Sequence, residues 1–369
     1  MRGRFRGRLH PRPRFWLLLL LGLSLTALLF MAGSARAADC YEAGGVYVCD
    51  ARLAPQRFSQ PPYPEDSLYY YRSYAWMEDY AHFYDAPNGN PVEQASEGIL
   101  YYTVEERVID AAGVTWYRVG DKLWARHGDM HPYLDSRFPG VAVHVQPDRP
   151  FGWVLTRFRP APAPGVEPAE DVPLIERYTF VEVFDAAGGE EGEIWYDIGD
   201  GRWVEQSHLG LIDVDARPAG VARDQFWVEV DLYQQTVAAY EGDRLVYATL
   251  VSTGLPGFET NEGLFTVYAR HLEWDMWGGD VGDDYYYLED VPHTMFFDKD
   301  IALHGAYWHD NFGEVRSHGC VNMPPRSAEW VYYWSEDAPD ETLWVWVHTS
   351  GERDIRSQFA PAAATIGAN

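Results

Sequence analysis

Two copies of one aromatic pattern occupy the middle of this 369-residue chain. WYRVGDKLW at Trp116 to Trp124 and WYDIGDGRW at Trp195 to Trp203 keep Trp-Tyr, Gly-Asp and a closing Trp at the same spacing. Upstream lie YAWM at Tyr74 to Met77 and FGWV at Phe151 to Val154, and each copy also holds Asp-Ala-Ala-Gly, at Asp110 to Gly113 and Asp185 to Gly188, which reads as a turn. Self-similarity of this kind signals a small repeated unit. Short aromatic and β-branched runs broken by Gly, Asp and Pro predict strands, and helical periodicity is hard to find. Trp116, Tyr117 and Trp124, with Trp195, Tyr196 and Trp203, are expected in module cores rather than on a ligand platform. The Pro/Ala stretch from Arg159 to Pro173 reads as a surface loop, because X-Pro steps favour extended backbone and Pro offers no ladder donor.

A third unit begins near Asp224. Phe226 to Asp231, Thr236 to Tyr240, Leu245 to Leu250 and Leu264 to Tyr268 read as strands, with turns at Gln234-Gln235 and Gly242-Asp243. A helix follows Pro324-Pro325, through Ser327 to Trp334, and Leu343 to His348 closes the sheet. The expected organisation is a leader or membrane anchor over 1–37, a hairpin segment over 38–59, small all-β modules over 60–148 and 149–222, a sheet-rich domain over 223–350 and a flexible tail over 351–369.

The N-terminus crowds arginines before the apolar run Phe15 to Gly33, and Ala35-Arg36-Ala37 has the small-x-small pattern of a signal-peptidase site. Export is the expectation; a retained anchor is the alternative, and the membrane is a partner only then. The formal net charge is −27, and loss of the basic leader would leave the remainder more acidic still. That balance argues against nucleic acid, whose phosphates require a basic surface. In CYEAGGVYVC, Cys40 and Cys49 are symmetric about Gly44-Gly45, a favoured hairpin turn, and a disulfide between them is expected in an oxidising compartment. Cys320 is then unpaired.

The stretch HGAYWHDNFGEVRSHGCVN, His304 to Asn322, holds that cysteine and three histidines. A thiol titrates near 8.5, so a thiolate nucleophile needs an adjacent base or backbone donors. His304, arriving from a separate strand end, is preferred as base over His318, and amides around Gly319 and Cys320 are candidates to bind an oxyanion. A metal held by His304, His309, His318 and Cys320 is the competing chemistry, but the tight pairs of zinc sites are missing. GGDVGDD at Gly278 to Asp284 lacks the alternation of a calcium loop and reads as solvated. No cofactor is called for.

His304 with Ser317-His318-Gly319-Cys320-Val321-Asn322 resembles the YkuD-type L,D-transpeptidase catalytic domain, from about Phe226 to Val347. EVDLYQQTVAAYEGD, LVSTGLPGFET and VPHTMFFDKDIALHGAYWH support the resemblance. It implies a β-sandwich-like domain with a short helix, in a mainly β chain, that acts on peptidoglycan stem peptides. Cys320 would attack the carbonyl after the third residue of a tetrapeptide stem, expel the terminal D-alanine, and pass the acyl group to the amine of a second stem; a hydrolase of the same acyl-enzyme and an idle wall-binding protein are the alternatives. It further implies His304 as base, oriented by the Gly305 carbonyl, an oxyanion site from His318, Gly319 and Cys320, supporting places for Ser317 and Asn322, and a mobile lid near Trp274 to Tyr287. Arg316, from its charge, is assigned to a substrate carboxylate, and Tyr307 and Trp308 to substrate binding. Asn261 replaces the proline usual in the family's Thr-Pro-x-Gly turn. The repeated units resemble bacterial SH3-like envelope modules.

Overall fold

Alternating apolar residues in the last third of the chain build a sheet that is buried on both faces. In this computed structural model, which describes residues 40–43, 46–49, 57–61, 67–68 and 72–351 apart from 121, 191, 215 and 283, Phe226–Asp231 forms its centre. That strand pairs antiparallel with Thr236–Glu241 and parallel with Leu343–His348. Gly263–Thr266 closes one edge, and Arg244–Leu250, Val141–Val143 and Phe58–Ser59 extend the other. Successive side chains point to opposite faces. Val228, Val230, Val237 and Ala239 therefore enter one core, while Trp227 and Tyr240, stacked at 4.0 Å, enter the other. Val141–Val143 and Phe58–Ser59, inside ranges the sequence assigns to the first module and the N-terminal segment, belong to this sheet.

The Gln234-Gln235 turn forms because Asp231 Oδ1 accepts the amides of Tyr233 (2.9 Å) and Gln234 (3.3 Å), a short polar side chain replacing a backbone acceptor. The helix is Pro325–Trp334, and proline at its first position suits a site where no N–H partner is needed. Ala328, Val331 and Tyr332 enter the valine-rich core, and Trp330, stacked on Tyr247, and Trp334, stacked on Phe226, pack against the same core.

A second sheet carries Val321–Met323, Ile301–Gly305 and Tyr286–Asp298, and the last of these forms a long hairpin with Ala269–Gly278. That sheet does not stop at the domain boundary. Tyr286, Tyr287 and Leu288 pair in parallel with Ile99, Leu100 and Tyr101 of the first module, whose strand Ile99–Ile109 also pairs with Tyr74–Met77 and Thr115–Val119. The hairpin expected as a free lid is thus fastened along one edge.

The repeated units are all-β, and they differ where their sequences agree. Asp110 to Gly113 is the hairpin turn expected, with Asp110 Oδ1 accepting the Ala112 and Val114 amides. Asp185–Gly188 is instead a strand, paired with Ile194–Asp197. The extra glycines and glutamates after it move the turn downstream, where the Gly189 amide meets the Glu193 carbonyl at 2.8 Å. Trp116, Tyr117 and Tyr196 are buried as expected, while Trp124, Trp195 and Trp203 are half-buried.

The stretch before Pro55 is a separate compact unit. In it Cys40–Ala43 and Val46–Cys49 pair with Cys40 opposite Cys49, the register that a disulfide there would need. The disulfide itself, the leader and the tail beyond Gly351 lie outside the described residues. Among the described residues no helix is long and apolar enough to cross a membrane.

Candidate active site

Strand pairing brings His304 and Cys320 to one end of the second sheet. Ile301–Gly305 and Val321–Met323 run parallel with Leu303 beside Val321, His304 beside Asn322 and Gly305 beside Met323. Ala302, Leu303, Val321 and Met323 are fully buried and hold the two strands in the core. Cys320 sits at the mouth of its strand, half-buried, and is a free thiol. Gly319 before it has φ +111°, a conformation that side chains disfavour, although a Cβ there would meet nothing closer than 3.5 Å. Backbone angle, not space, requires this glycine.

The loop is fastened on three sides. Ser317 Oγ donates to the Cys320 carbonyl (2.5 Å) and accepts the Gly319 amide (3.1 Å), while Thr260 Oγ1 donates to the Gly319 carbonyl (2.7 Å). Ser252 and Asn322 exchange two backbone hydrogen bonds of 2.9 Å, and the Ser317 amide reaches the Thr253 carbonyl at 3.0 Å. These contacts make LVSTGLPGFET the cradle of the Cys320 loop. Asn261 donates to Asp298 at 2.7 Å, so the turn that usually holds proline is tied by a side chain instead. The Gly319 amide is taken up by Ser317, and it can serve an oxyanion only if that hydroxyl yields it.

Burial sets the protonation of the pair. Desolvation pushes the Cys320 thiol up to about 11, with Asp300 adding to the rise and the Ala302 amide opposing it, and Sγ faces the Asp300 carbonyl at 3.6 Å. Desolvation likewise drives the His304 imidazole down to about 4, partly offset by the Gly305 carbonyl. Gly305 therefore lies where it favours a protonated ring, yet Nδ1 makes no hydrogen bond. The resting pair is a neutral thiol and a neutral imidazole rather than an ion pair.

His309, set aside by sequence reasoning, is a buried neighbour of this centre. Its Nδ1 accepts the Asn311 amide at 3.2 Å, and its Nε2 meets the Asn322 side-chain amide at 3.0 Å. With Nδ1 accepting, the neutral ring carries its proton on Nε2, so the amide turns its oxygen toward it. Desolvation first, then Arg316, His304 and Arg177, hold His309 down near 3, which keeps its ring neutral. Asn322 is accordingly buried and structural in its contacts.

The remaining predicted residues separate clearly. Trp308 lies half-buried with its ring 5.6 Å from that of His304. Arg316 is exposed, close enough to Tyr101 and Tyr133 to oppose the desolvation that raises their phenols. His318 is half-buried between the rings of Phe258 (4.3 Å) and Tyr286 (5.2 Å), with Asp284 Oδ2 3.9 Å from its Nε2. Tyr307, assigned to substrate binding, is instead wholly buried. It stacks on Tyr74 at 3.5 Å and donates to the Glu289 carbonyl at 2.6 Å, so its ring and hydroxyl are spent on the first module and the hairpin. The metal set does not assemble: among the described residues no three His, Cys, Asp or Glu side chains could share an ion.

Tyr286 was missed. Desolvation first, then Cys320 and Asp284, raise its phenol to about 12, which places it near Cys320. Its neighbours Tyr285 and Tyr287 pack into the first module's core with Ala75, Met77 and Leu100. Alternation in the Tyr285-Tyr286-Tyr287 run was the available signal: one ring must face away from the other two.

Residues 225–347 match the YkuD family model, the L,D-transpeptidase catalytic domain. This segment is a YkuD-type domain. A Bacillus subtilis protein, YciB, whose name assigns it provisionally to the L,D-transpeptidases, is 24% identical over 135 residues, covering 33% of this chain and 66% of its own length. The crystal structure of an L,D-transpeptidase from Stackebrandtia nassauensis is 26% identical, covers 35% of this chain and 59% of its own, and has a TM-score of 0.27. The catalytic domain of the Enterococcus faecium L,D-transpeptidase, solved by NMR, is 24% identical over 35% of this chain and 100% of its own, with a TM-score of 0.29. This chain thus spans less than two thirds of the first two relatives. TM-scores at this level carry no argument, and the assignment of the YkuD-type domain rests on the family model and on residues His304 to Asn322.

Proposed function

We propose that the protein is a peptidoglycan L,D-transpeptidase of the cell envelope, working through an acyl-enzyme on Cys320. The observation that carries this reading is the parallel register that sets His304 and the Cys320 loop on neighbouring strands, with Tyr286 near Cys320. Because the thiol is held high and the imidazole low, proton transfer accompanies attack. His304 accepts the thiol proton as sulfur bonds to the carbonyl carbon after the third residue of a stem tetrapeptide, and the C–N bond to the terminal D-alanine then breaks as His304 returns the proton to the leaving amine. The side-chain amine of a second stem attacks the thioester, the C–S bond breaks, and the thiol is restored. The Cys320 amide serves the oxyanion, joined by the Gly319 amide once Ser317 Oγ releases it, and Trp308, Arg316 and His318 border the substrate.

The test is mass spectrometry of purified protein incubated with a disaccharide tetrapeptide. Cross-linked dimer is expected. Tripeptide alone means a hydrolase, and unchanged substrate means that the chain only binds wall.

A further inference from the structure

The sheet face that carries Tyr286 continues out of the YkuD-type domain. Tyr286 pairs with Ile99 and Leu288 with Tyr101; Tyr101 pairs with Trp76, and Trp76 with His131. Directly paired residues project to the same side of a sheet. One face therefore runs from beside the nucleophile across Ile99, Tyr101 and Trp76 to His131 and Tyr133. Its near end is seated on the catalytic loop: Tyr101 donates to the Trp308 carbonyl at 3.3 Å, and Tyr74 stacks on Tyr307. Elsewhere the face is open: Trp76 is 37% and Ile99, paired with Tyr286, 56% exposed, and a groove of about 580 Å³ lies along Trp76, Asp79, Ile99, Tyr101 and Tyr133, within the range of small-ligand sites.

We infer that this groove is a saccharide subsite contiguous with the Cys320 cleft, which holds sugar rings of the glycan strand bearing the substrate stem; this rests on the function proposed above. The indole of Trp76 is held flat by its 4.3 Å stack on His131, itself bonded to Glu78 at 2.9 Å, and it offers an apolar plate for the C–H face of a pyranose. One rim is acidic: Glu78 and Asp79 line the groove, while Arg316 stands near its Tyr101 and Tyr133 side. Carboxylates accept hydrogen bonds from hydroxyls and repel anionic polymers. Both already hold partners, Glu78 with His131 and Asp79 with the Gly98 amide at 3.0 Å, which suits them to hydroxyls better than to a cationic peptide. Continuity with Tyr286 and Trp308 sets the direction, sugar outward and peptide inward.

The experiment titrates the full chain carrying Cys320→Ala with a soluble β-1,4-linked N-acetylglucosamine tetramer, followed by tryptophan fluorescence and calorimetry. Saturable binding is expected, weakened at least about fivefold by adding Trp76→Ala and partly retained in Trp76→Phe, since a stacked plate is replaced rather than lost. Absence of binding, or binding indifferent to Trp76→Ala, overturns the inference. So does a sugar-free tetrapeptide whose affinity falls equally in Trp76→Ala, which would assign the groove to peptide. In turnover assays the preference for disaccharide-linked over sugar-free stem, read as a KM ratio, should collapse in Trp76→Ala. The binding arm needs no chemistry at Cys320, so failure of the subsite and failure of the proposed reaction remain distinguishable.

Discussion

The two repeated modules start from one aromatic pattern and end in different relations to the YkuD-type domain. In the first, strand Ile99–Ile109 joins the catalytic hairpin, whose Tyr285 and Tyr287 complete its core. The second keeps its sheets to itself, Phe180–Glu182 with Phe151–Val154 and Leu209–Ile212, and Asp185–Gly188 with Ile194–Asp197 and Trp203–Glu205. It reaches the catalytic loop through side chains, Arg177 and Tyr178 on the Asp310 carbonyl at 2.7 Å each. A core motif secures a small all-β unit; the strand edge left open decides what that unit holds. The open edge of the first module holds the strand that carries Tyr286.

The largest effect sets the zero against which both modules are read. Cys320→Ala should abolish product with the melting temperature little changed, as mass spectrometry of the reaction and calorimetry would report; turnover in that variant would refute the mechanism. His304→Ala should approach the same loss, and His318→Ala should lose less.

Next come matched truncations, one in each module. Tyr74→Ala and Tyr196→Ala each remove a buried ring and should cost about 3 to 5 kcal/mol in urea unfolding. Only Tyr74→Ala should also slow acylation of the folded fraction, because Tyr74 supports Tyr307 beside Trp308. Equal kinetic loss in both variants would erase the distinction between the modules.

His309→Ala should cost about 1 to 3 kcal/mol by leaving Asn322 buried without its partner, and His309→Gln should recover part of it. The readout is acylation rate beside thermal stability. An effect on stability alone would make His309 a core residue without a positioning role.

The smallest effects are in pH. Resting alkylation of Cys320 should climb toward pH 11, and acylation should fall as pH drops through about 4, where His304 gains its proton. Stability follows the same histidines. His293, His304 and His309 are held by burial at about 4, 4 and 3, below an unfolded value near 6.5, so the unfolded chain binds more protons beneath pH 6.5. The melting temperature should drop as pH falls from 6.5 toward 4. Glu289 runs the other way: burial, opposed by the Thr103 amide and aided by Asp290, raises it to about 7. Its contribution is complete below about 4.5 and is lost as pH rises through 7, loosening the hairpin from the first module. A flat profile on both sides would remove burial as the cause of these shifts.

Much of the catalytic sheet was legible in the sequence. Phe226–Asp231 and Leu343–His348 have the bounds expected from their runs of aromatic and β-branched residues, because a strand buried on both faces is nearly all apolar. The helix start was legible from Pro324-Pro325. Asp185–Gly188 was misread because the same four residues turn or extend according to where the next glycines fall. Tyr307 was misassigned because adjacency to His304 says nothing about which way an alternating chain points a ring.

Local chemistry in the sequence determined the strands, the glycine before Cys320, and the candidate nucleophile and base, since periodicity, backbone sterics and ligand type are properties of short segments. Tertiary structure decided which histidine is free and which is spent on Asn322, that the hairpin is fastened, and that one module pairs with it while its copy does not. Those outcomes depend on pairings between segments far apart, such as Ile99 with Tyr286, where desolvation and edge hydrogen bonding act only once the chain has closed on itself.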